Sequence, residues 1–138
     1  MDALGSGRDP IDVVLVTRDL EVGSAIGMLF DLDVRFALAG CVGDLRAADA
    51  ALLRTTPDVI VADLDETDSR VDVVRHLRSM APKARIVAFS SFPDFLTLMA
   101  VLRSGADAYI DKATAWIDLI PTVCELCDLP GVRHPADA

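Results

Sequence analysis

Three short apolar runs constrain the fold of this chain more than any other feature of its sequence. They span residues 11–16, 59–62 and 85–89, are rich in Val and Ile, and show no alternation of apolar with polar residues. Strands that are buried on both faces have this pattern, whereas strands with one solvated face alternate. The runs therefore predict a parallel sheet that is covered by helices on both sides.

The segments around these runs complete an alternation of strands and helices. Two weaker strand candidates lie at residues 34–39 and 108–110. Helix-length stretches with apolar residues three and four positions apart lie at residues 20–32, 44–54, 70–80, 93–104 and 114–127. Five strands that alternate with five helices predict one α/β domain. We place it at residues 11–128, between tails at 1–10 and 129–138.

The charge of the chain limits the partners that such a domain can bind. Its 138 residues include 13 basic and 22 acidic side chains, which gives a net charge of -9. This surface repels phosphate backbones and anionic lipid, so neither nucleic acid nor membrane is expected as a partner. No apolar run reaches the roughly 20 residues of a membrane-spanning helix, and the first ten residues lack the order of a signal peptide. We therefore predict a cytoplasmic location.

The three cysteines do not indicate a disulfide framework, because their number is odd. Cys124 and Cys127 form a C-x-x-C pattern, which in other contexts carries redox or metal chemistry. Here the pattern lies at the C-terminal end of a predicted helix, where the helix dipole raises the pKa of a thiol. We interpret both residues as small apolar side chains that pack the last helix.

Polar residues follow the predicted strands at the edge where a parallel sheet usually holds its site. Asp63 ends the third strand, Ser90 follows the fourth, and Lys112 follows the fifth. A carboxylate can act as a nucleophile that forms an aspartyl phosphate, and a hydroxyl and an ammonium can hold phosphoryl oxygens. Acids are common in this chain, but Lys112 is one of only two lysines, so its position is informative. The three residues together predict a phosphoryl site.

The same segments resemble the receiver domain of bacterial response regulators, in particular of the LuxR-type subfamily. The resemblance covers residues 11–127. It rests on PDVIVAD at 57–63, VAFS at 87–90 and LRSGADAYIDK at 102–112. It implies a flavodoxin-like (CheY-like) fold, which is a doubly wound, five-stranded parallel sheet of order 2-1-3-4-5 flanked by five helices.

The resemblance also assigns roles to residues at the strand ends. It implies that Asp63 is the phospho-acceptor, that Ser90 and Tyr109 form the switch pair, and that Lys112 contacts the phosphoryl group. A domain of this kind is not itself an enzyme, and it works with a protein partner or a histidine kinase in a phosphorelay.

The chain departs from the family pattern at the end of the first strand. Two adjacent acids that hold Mg²⁺ in the family are replaced by Thr17 and Arg18. Mg²⁺ requires oxygen ligands in an octahedron, and only Asp63 and Asp65 remain to supply them, so we expect no cofactor, or weak Mg²⁺ at most. Arg18 also places a permanent cation where the metal would sit. We therefore predict an atypical receiver in which a cluster of Arg18, Asp63 and Lys112 replaces the metal.

Two alternatives stay open at this stage. The first is a conventional receiver that a histidine kinase phosphorylates on Asp63. The second is a phosphohydrolase, because residues 63–67 match the D-x-D-x-T motif of haloacid-dehalogenase-type phosphatases. In that motif the first Asp is the nucleophile and the second, here Asp65, is the general acid and base. The phosphatase nucleophile comes on an early strand, however, and the later acidic motif of those enzymes is missing here.

The fourth predicted helix carries more apolar residues than one buried stripe needs. An exposed apolar patch often marks an interface. The resemblance supports this interpretation, because receivers commonly associate through the fourth helix, fifth strand and fifth helix. We predict a homodimer interface there, formed by Phe92, Phe95, Met99, Tyr109 and Trp116.

Overall fold

The computed structural model describes residues 9–65, 69–91 and 94–129. Its strands are β1 (Ile11–Val16), β2 (Phe36–Val42), β3 (Val59–Asp63), β4 (Arg85–Ser90) and β5 (Ala108–Asp111). Its helices are α1 (Leu20–Asp31), α2 (Leu45–Thr55), α3 (Arg70–Met80), α4 (Phe95–Arg103) and α5 (Ala115–Leu126), with a 3-10 turn at Lys112–Thr114 before the last helix. Strands and helices alternate as the sequence predicts.

The five strands form one parallel sheet of order β2-β1-β3-β4-β5, which confirms the predicted flavodoxin-like topology. Successive side chains of each strand enter two separate cores. In β1, Val13 and Leu15 pack with α1 and α5, whereas Val14 and Val16 pack with α2 and α3. Both faces of the sheet are buried, so the strands read as continuous apolar runs.

One of the two weaker strand predictions differs most from the structure. The prediction placed it at residues 34–39, and β2 instead begins at Phe36 and extends to Val42. The register against β1 shifts between Val13 and Val14, where Val13 pairs with Leu38 and Val14 pairs with Gly40. Tertiary pairing with β1 overrides the low strand propensity of Gly40, which is why the sequence pattern ends too early.

Several of the many acids cap helices. The side chains of Asp19, Asp44 and Asp94 accept hydrogen bonds from main-chain N–H groups in the first turns of α1, α2 and α4. A carboxylate at this position satisfies donors that the helix leaves unpaired and also interacts favourably with the helix dipole. Part of the acidic composition is therefore structural.

In the described part of the chain, no helix is both long enough and apolar enough to cross a membrane. The cytoplasmic location and the exclusion of nucleic acid stay predictions. Most of the two predicted tails lies outside the described residues.

Candidate functional site

The carboxylate of Asp63 lies at the carboxyl end of β3, and its side chain is only 2% exposed. Its Oδ2 accepts a hydrogen bond from the Thr17 hydroxyl at 2.7 Å and another from Lys112 Nζ at 3.0 Å. Its Oδ1 accepts the main-chain N–H of Asp65 at 3.0 Å. A buried charge needs such partners, and here three different strand ends supply them.

Lys112 also binds a second carboxylate. Its Nζ lies 2.9 Å from Oδ2 of Asp65, whose side chain in turn accepts bonds from the Ser91 main-chain N–H at 2.7 Å and the Ser91 hydroxyl at 2.8 Å. One ammonium therefore joins Asp63 and Asp65, and Ser91 fixes the position of the second. The bonds link the loops after β3, β4 and β5 into one network.

The network changes the proton affinity of two of its members. Burial raises the pKa of Asp65, but the hydrogen bonds from Lys112 and Ser91 outweigh burial and hold that pKa below its ordinary value. Burial lowers the pKa of Lys112, but the hydrogen bonds to Asp65 and Asp63 outweigh burial and raise it. Both groups are therefore more firmly charged near neutral pH than they are in water.

Ser90 and Tyr109 lie next to this network and contact each other. The Ser90 side chain is fully buried at the end of β4, and its hydroxyl is hydrogen-bonded to the Tyr109 hydroxyl on β5. The two residues predicted as a switch pair thus share one bond. The ring of Tyr109 is half-buried and packs against the core on the α2–α4 side of the sheet.

Arg18 does not take the place that the sequence suggested. The predicted cluster of Arg18, Asp63 and Lys112 is wrong, because no ion pair joins Arg18 to Asp63 among the described residues. The Arg18 side chain is exposed instead, and its Nε donates to the Gly43 carbonyl at 3.2 Å. The adjacent residue Thr17 points into the site, since neighbouring residues at a strand end face opposite directions.

Thr17 and Ser91 are therefore site residues that the sequence reasoning passed over. Thr17 was noted only as the replacement of an acid, although a hydroxyl directly after β1 is placed to donate to a carboxylate at the end of the neighbouring β3. Ser91 was overlooked beside Ser90. The sequence signal was the pair of adjacent hydroxyls after β4, of which one faces Tyr109 and the other Asp65.

The predicted interface residues divide into three groups. Phe95 and Trp116 are 73% and 69% exposed at the starts of α4 and α5, and each is followed by another exposed apolar side chain, Leu96 or Ile117. Met99 and Tyr109 are only half-buried. Phe92 lies outside the described residues. Exposed apolar side chains are therefore present at the starts of both helices.

Cys124 is buried in the core, and Cys127 packs partly against it. Burial raises the pKa of both thiols, which keeps them protonated and unreactive at neutral pH. In the described residues, no group of three His, Cys, Asp or Glu side chains is placed to hold a metal ion.

Comparisons with known proteins find similar sequences and similar structures. No family model matches the sequence. Over 108 residues the chain is 28% identical to a nitrate/nitrite response regulator protein homologue of Haemophilus influenzae, covering 78% of this chain and 52% of that protein. Over 117 residues it is 29% identical to a protein-glutamate methylesterase/protein-glutamine glutaminase of Azospirillum brasilense, covering 80% of this chain and 29% of that protein.

The chain thus spans about half of the first relative and less than a third of the second. Among solved structures, it superposes on the signal receiver domain of the putative response regulator NarL from Mycobacterium tuberculosis with a TM-score of 0.78 and 17% identity. That match covers 88% of this chain and 98% of the other. The chain therefore has the fold of a response-regulator receiver domain and is similar in sequence to part of a response regulator.

Proposed function

We propose that this receiver domain acts in two-component signalling through protein contacts, with little Mg²⁺-dependent phosphorylation of Asp63. The observation that carries the proposal is the complete set of hydrogen bonds on the Asp63 carboxylate, which come from Thr17, Lys112 and the Asp65 main chain. The site is therefore stable without a metal, and an incoming ion or phosphoryl group must displace these donors.

The donor set does not fit the Mg²⁺ that the family uses. The end of β1 supplies a neutral hydroxyl from Thr17 where the family has an acid, and Arg18 adds a cation to the cavity beside Asp63. The other available acid, Asp65, is bonded to Lys112 and Ser91. Mg²⁺ binds through oxygen atoms in strict octahedral geometry, so it would compete with an ammonium for both carboxylates.

A conventional receiver that a histidine kinase phosphorylates on Asp63 is the second candidate. It is supported by two hydrogen bonds, Ser90 with Tyr109 and Lys112 with Asp63, which join the residues to which the resemblance assigns roles. The two candidates use the same residues and differ only in whether Thr17 and Arg18 at the end of β1 prevent phosphorylation of Asp63. An experiment that changes the end of β1 therefore separates them.

The experiment incubates the chain with Mg²⁺ and acetyl phosphate and measures the intact mass. We expect little phosphorylation of the wild type and Mg²⁺-dependent gain of one phosphoryl group in the variant with Thr17→Asp and Arg18→Asp. Asp63→Asn added to that variant is the control that identifies the acceptor. Arg18→Asp alone changes an exposed side chain and so tests the loss of the cation in an intact fold. Wild type that is phosphorylated as completely as the double variant would contradict the proposal.

A phosphohydrolase function has weaker support. In that mechanism Asp65 would protonate the leaving group, which requires a carboxyl that holds a proton near neutral pH. The hydrogen bonds from Lys112 and Ser91 hold the pKa of Asp65 below its ordinary value, so Asp65 is ionised and fully bonded. Hydrolysis of a generic phosphate ester that is lost on Asp63→Asn is the result that would favour this function.

The protein contact of the proposal is a homodimer through α4, β5 and α5. Phe95 and Trp116 supply exposed apolar area at the starts of the two helices that flank the edge strand β5, one on each face of the sheet. Sedimentation velocity of the wild type should show a dimer, and Phe95→Asp should shift it to monomer. Leu53→Asp, at a 74% exposed position on α2, is the matched control that should leave the dimer intact. Equal sedimentation of the wild type and Phe95→Asp would remove the homodimer from the proposal.

A further inference from the structure

An open cavity of about 570 Å³ lies beside Asp63 at the carboxyl ends of β1 and β3. In the sheet, β1 lies between β2 and β3, so the chain leaves β1 toward one side and returns on the other. Ligands of open parallel sheets bind at such a switch point. The cavity volume also falls in the range of about 300–1,000 Å³ that is typical of small-molecule sites.

Arg18 contributes the cation of this cavity. Its side chain is exposed, and its Nε donates to the Gly43 carbonyl, which holds the guanidinium over the turn before α2. In the ranges that the structure describes, no carboxylate lies within ion-pair distance of Arg18. The two terminal amino groups are thus available, and they form the planar fork that binds a carboxylate through two parallel hydrogen bonds.

The acids that line the cavity already have partners. The charge of Asp63 is bonded to Lys112, as described above. Asp72 lies 3.8 Å from Arg75 and is 73% exposed, so water screens its charge. Neither carboxylate forms an ion pair with Arg18. Among the described residues, the charge of Arg18 in this cavity therefore has no ion-pair partner.

The remaining wall of the cavity consists partly of apolar side chains and includes one imidazole ring. Val16, Leu45 and Val73 line the cavity together with His76. The Nε2 of His76 is bonded to Asp49 Oδ1 at 2.7 Å, so the imidazole bridges α3 to α2 and has a fixed position. A ligand that fits these surfaces has one anionic group and a compact apolar body.

We propose that this cavity binds a small organic carboxylate, whose anionic group pairs with Arg18 and whose apolar body packs on Val16, Leu45 and Val73. The ligand would lie against Thr17, whose hydroxyl donates to Asp63. Binding would therefore act on the same network that a phosphoryl group would change. This consequence rests on the proposed function, in which Asp63 is little phosphorylated.

The test titrates ¹⁵N-labelled chain with benzoate and follows the backbone amide shifts. We expect saturable shifts at Arg18 and Gly43, with the neutral analogue benzyl alcohol producing none. Arg18→Ala should weaken benzoate binding roughly ten- to hundredfold, since it removes charged hydrogen bonds. Arg103→Ala, an exposed arginine on α4, is the matched control and should bind as the wild type does. The spectra themselves report whether each variant is folded.

Three results would overturn the inference. They are the absence of a saturable shift with benzoate, equal affinity in Arg18→Ala, and inorganic phosphate that shifts the same amides with the affinity of benzoate. The last result would show a general anion site in which the apolar wall has no role. Phosphorylation is measured separately by intact mass, so a failure of this inference is distinguishable from a failure of the proposed function.

Discussion

The two ends of the sheet each hold a network of hydrogen bonds around one cation, but the cations bind different kinds of acceptor. At the carboxyl end, Lys112 binds the carboxylates of Asp63 and Asp65. At the amino end, Arg78 of α3 donates twice to the Gly105 carbonyl, at 3.0 and 2.7 Å, and once to the Ala84 carbonyl at 2.6 Å.

The amino-end network also contains a carboxylate, which itself holds main chain. Asp107 accepts from Arg78 at 2.8 Å and from the Ile86 N–H at 2.8 Å, so it fixes the start of β4. A guanidinium is always charged and has rigid geometry, which suits it to satisfy several main-chain carbonyls at once.

The difference separates a structural network from a functional one. The amino end uses mostly main-chain carbonyls, which do not ionise, and the Asp107 carboxylate in it holds the start of β4, so we expect its bonds to contribute to stability. The carboxyl end uses ionisable side chains, whose charge can change with ligand, metal or modification. Substitutions at the two ends should therefore differ in what they disturb.

The largest expected effect is that of Arg78→Ala. It removes every hydrogen bond of the guanidinium and leaves part-buried carbonyls without that donor, which should lower the free energy of unfolding by about 3 kcal/mol. Urea denaturation of both proteins measures the difference. Arg75→Ala, one turn away and 68% exposed, should leave stability unchanged. A loss of stability as small as that of Arg75→Ala would show that the hydrogen bonds of Arg78 contribute little to stability.

Gly105→Ala should be the next most damaging. Gly105 has a φ of 126°, and a Cβ there would lie 2.9 Å from Cβ and Cγ of Arg78. Strain and overlap together should lower the free energy of unfolding by about 2 kcal/mol. The control is Gly43→Ala at the other end, where a Cβ would meet its nearest neighbour at 3.8 Å. Equal thermal midpoints for the two variants would contradict this view of the turn before β5.

Thr17→Val probes the carboxyl end with a smaller expected effect. The substitution keeps the shape of the side chain but removes the hydroxyl that donates to Asp63, and a hydrogen bond to a charged group contributes about 1.5 kcal/mol or more. Thr17→Ser retains the donor and is the matched control. A double-mutant cycle with Asp63→Asn isolates the coupling between the two side chains. A coupling energy of zero would show that Thr17 does not stabilise the Asp63 charge.

The sequence predicts the fold and much of the site because these depend on local pattern and strand position. Buried strands read as apolar runs, and the carboxyl ends of parallel strands meet at one edge, so strand position alone predicts that Asp63 and Lys112 lie close together, as their hydrogen bond shows. Their convergence did not require knowledge of any side-chain angle.

The hydrogen-bond partners within the site could not be predicted from the sequence in the same way. Arg18 and Thr17 are adjacent in the sequence. Which of the two faces Asp63 depends on the direction in which each side chain leaves the end of β1. Charge alone favoured Arg18, whereas the geometry of the strand end selected Thr17. The role of Ser91 depends on the loop after β4, whose course no periodic pattern specifies.

The smallest expected effect is the pH dependence of the carboxyl-end network. Because the folded state lowers the pKa of Asp65, this group stabilises the fold above its unfolded pKa of about 3.8, and the stabilisation is lost as pH falls through the lower folded value. Because the folded state raises the pKa of Lys112, its stabilisation is present below about 10.5 and is lost as pH rises through the higher folded value.

Urea midpoints of the wild type and Asp65→Asn should therefore differ most between these limits and converge in acid. A difference between wild type and Asp65→Asn that stays constant into acid would mean that the Asp65 charge does not contribute to stability.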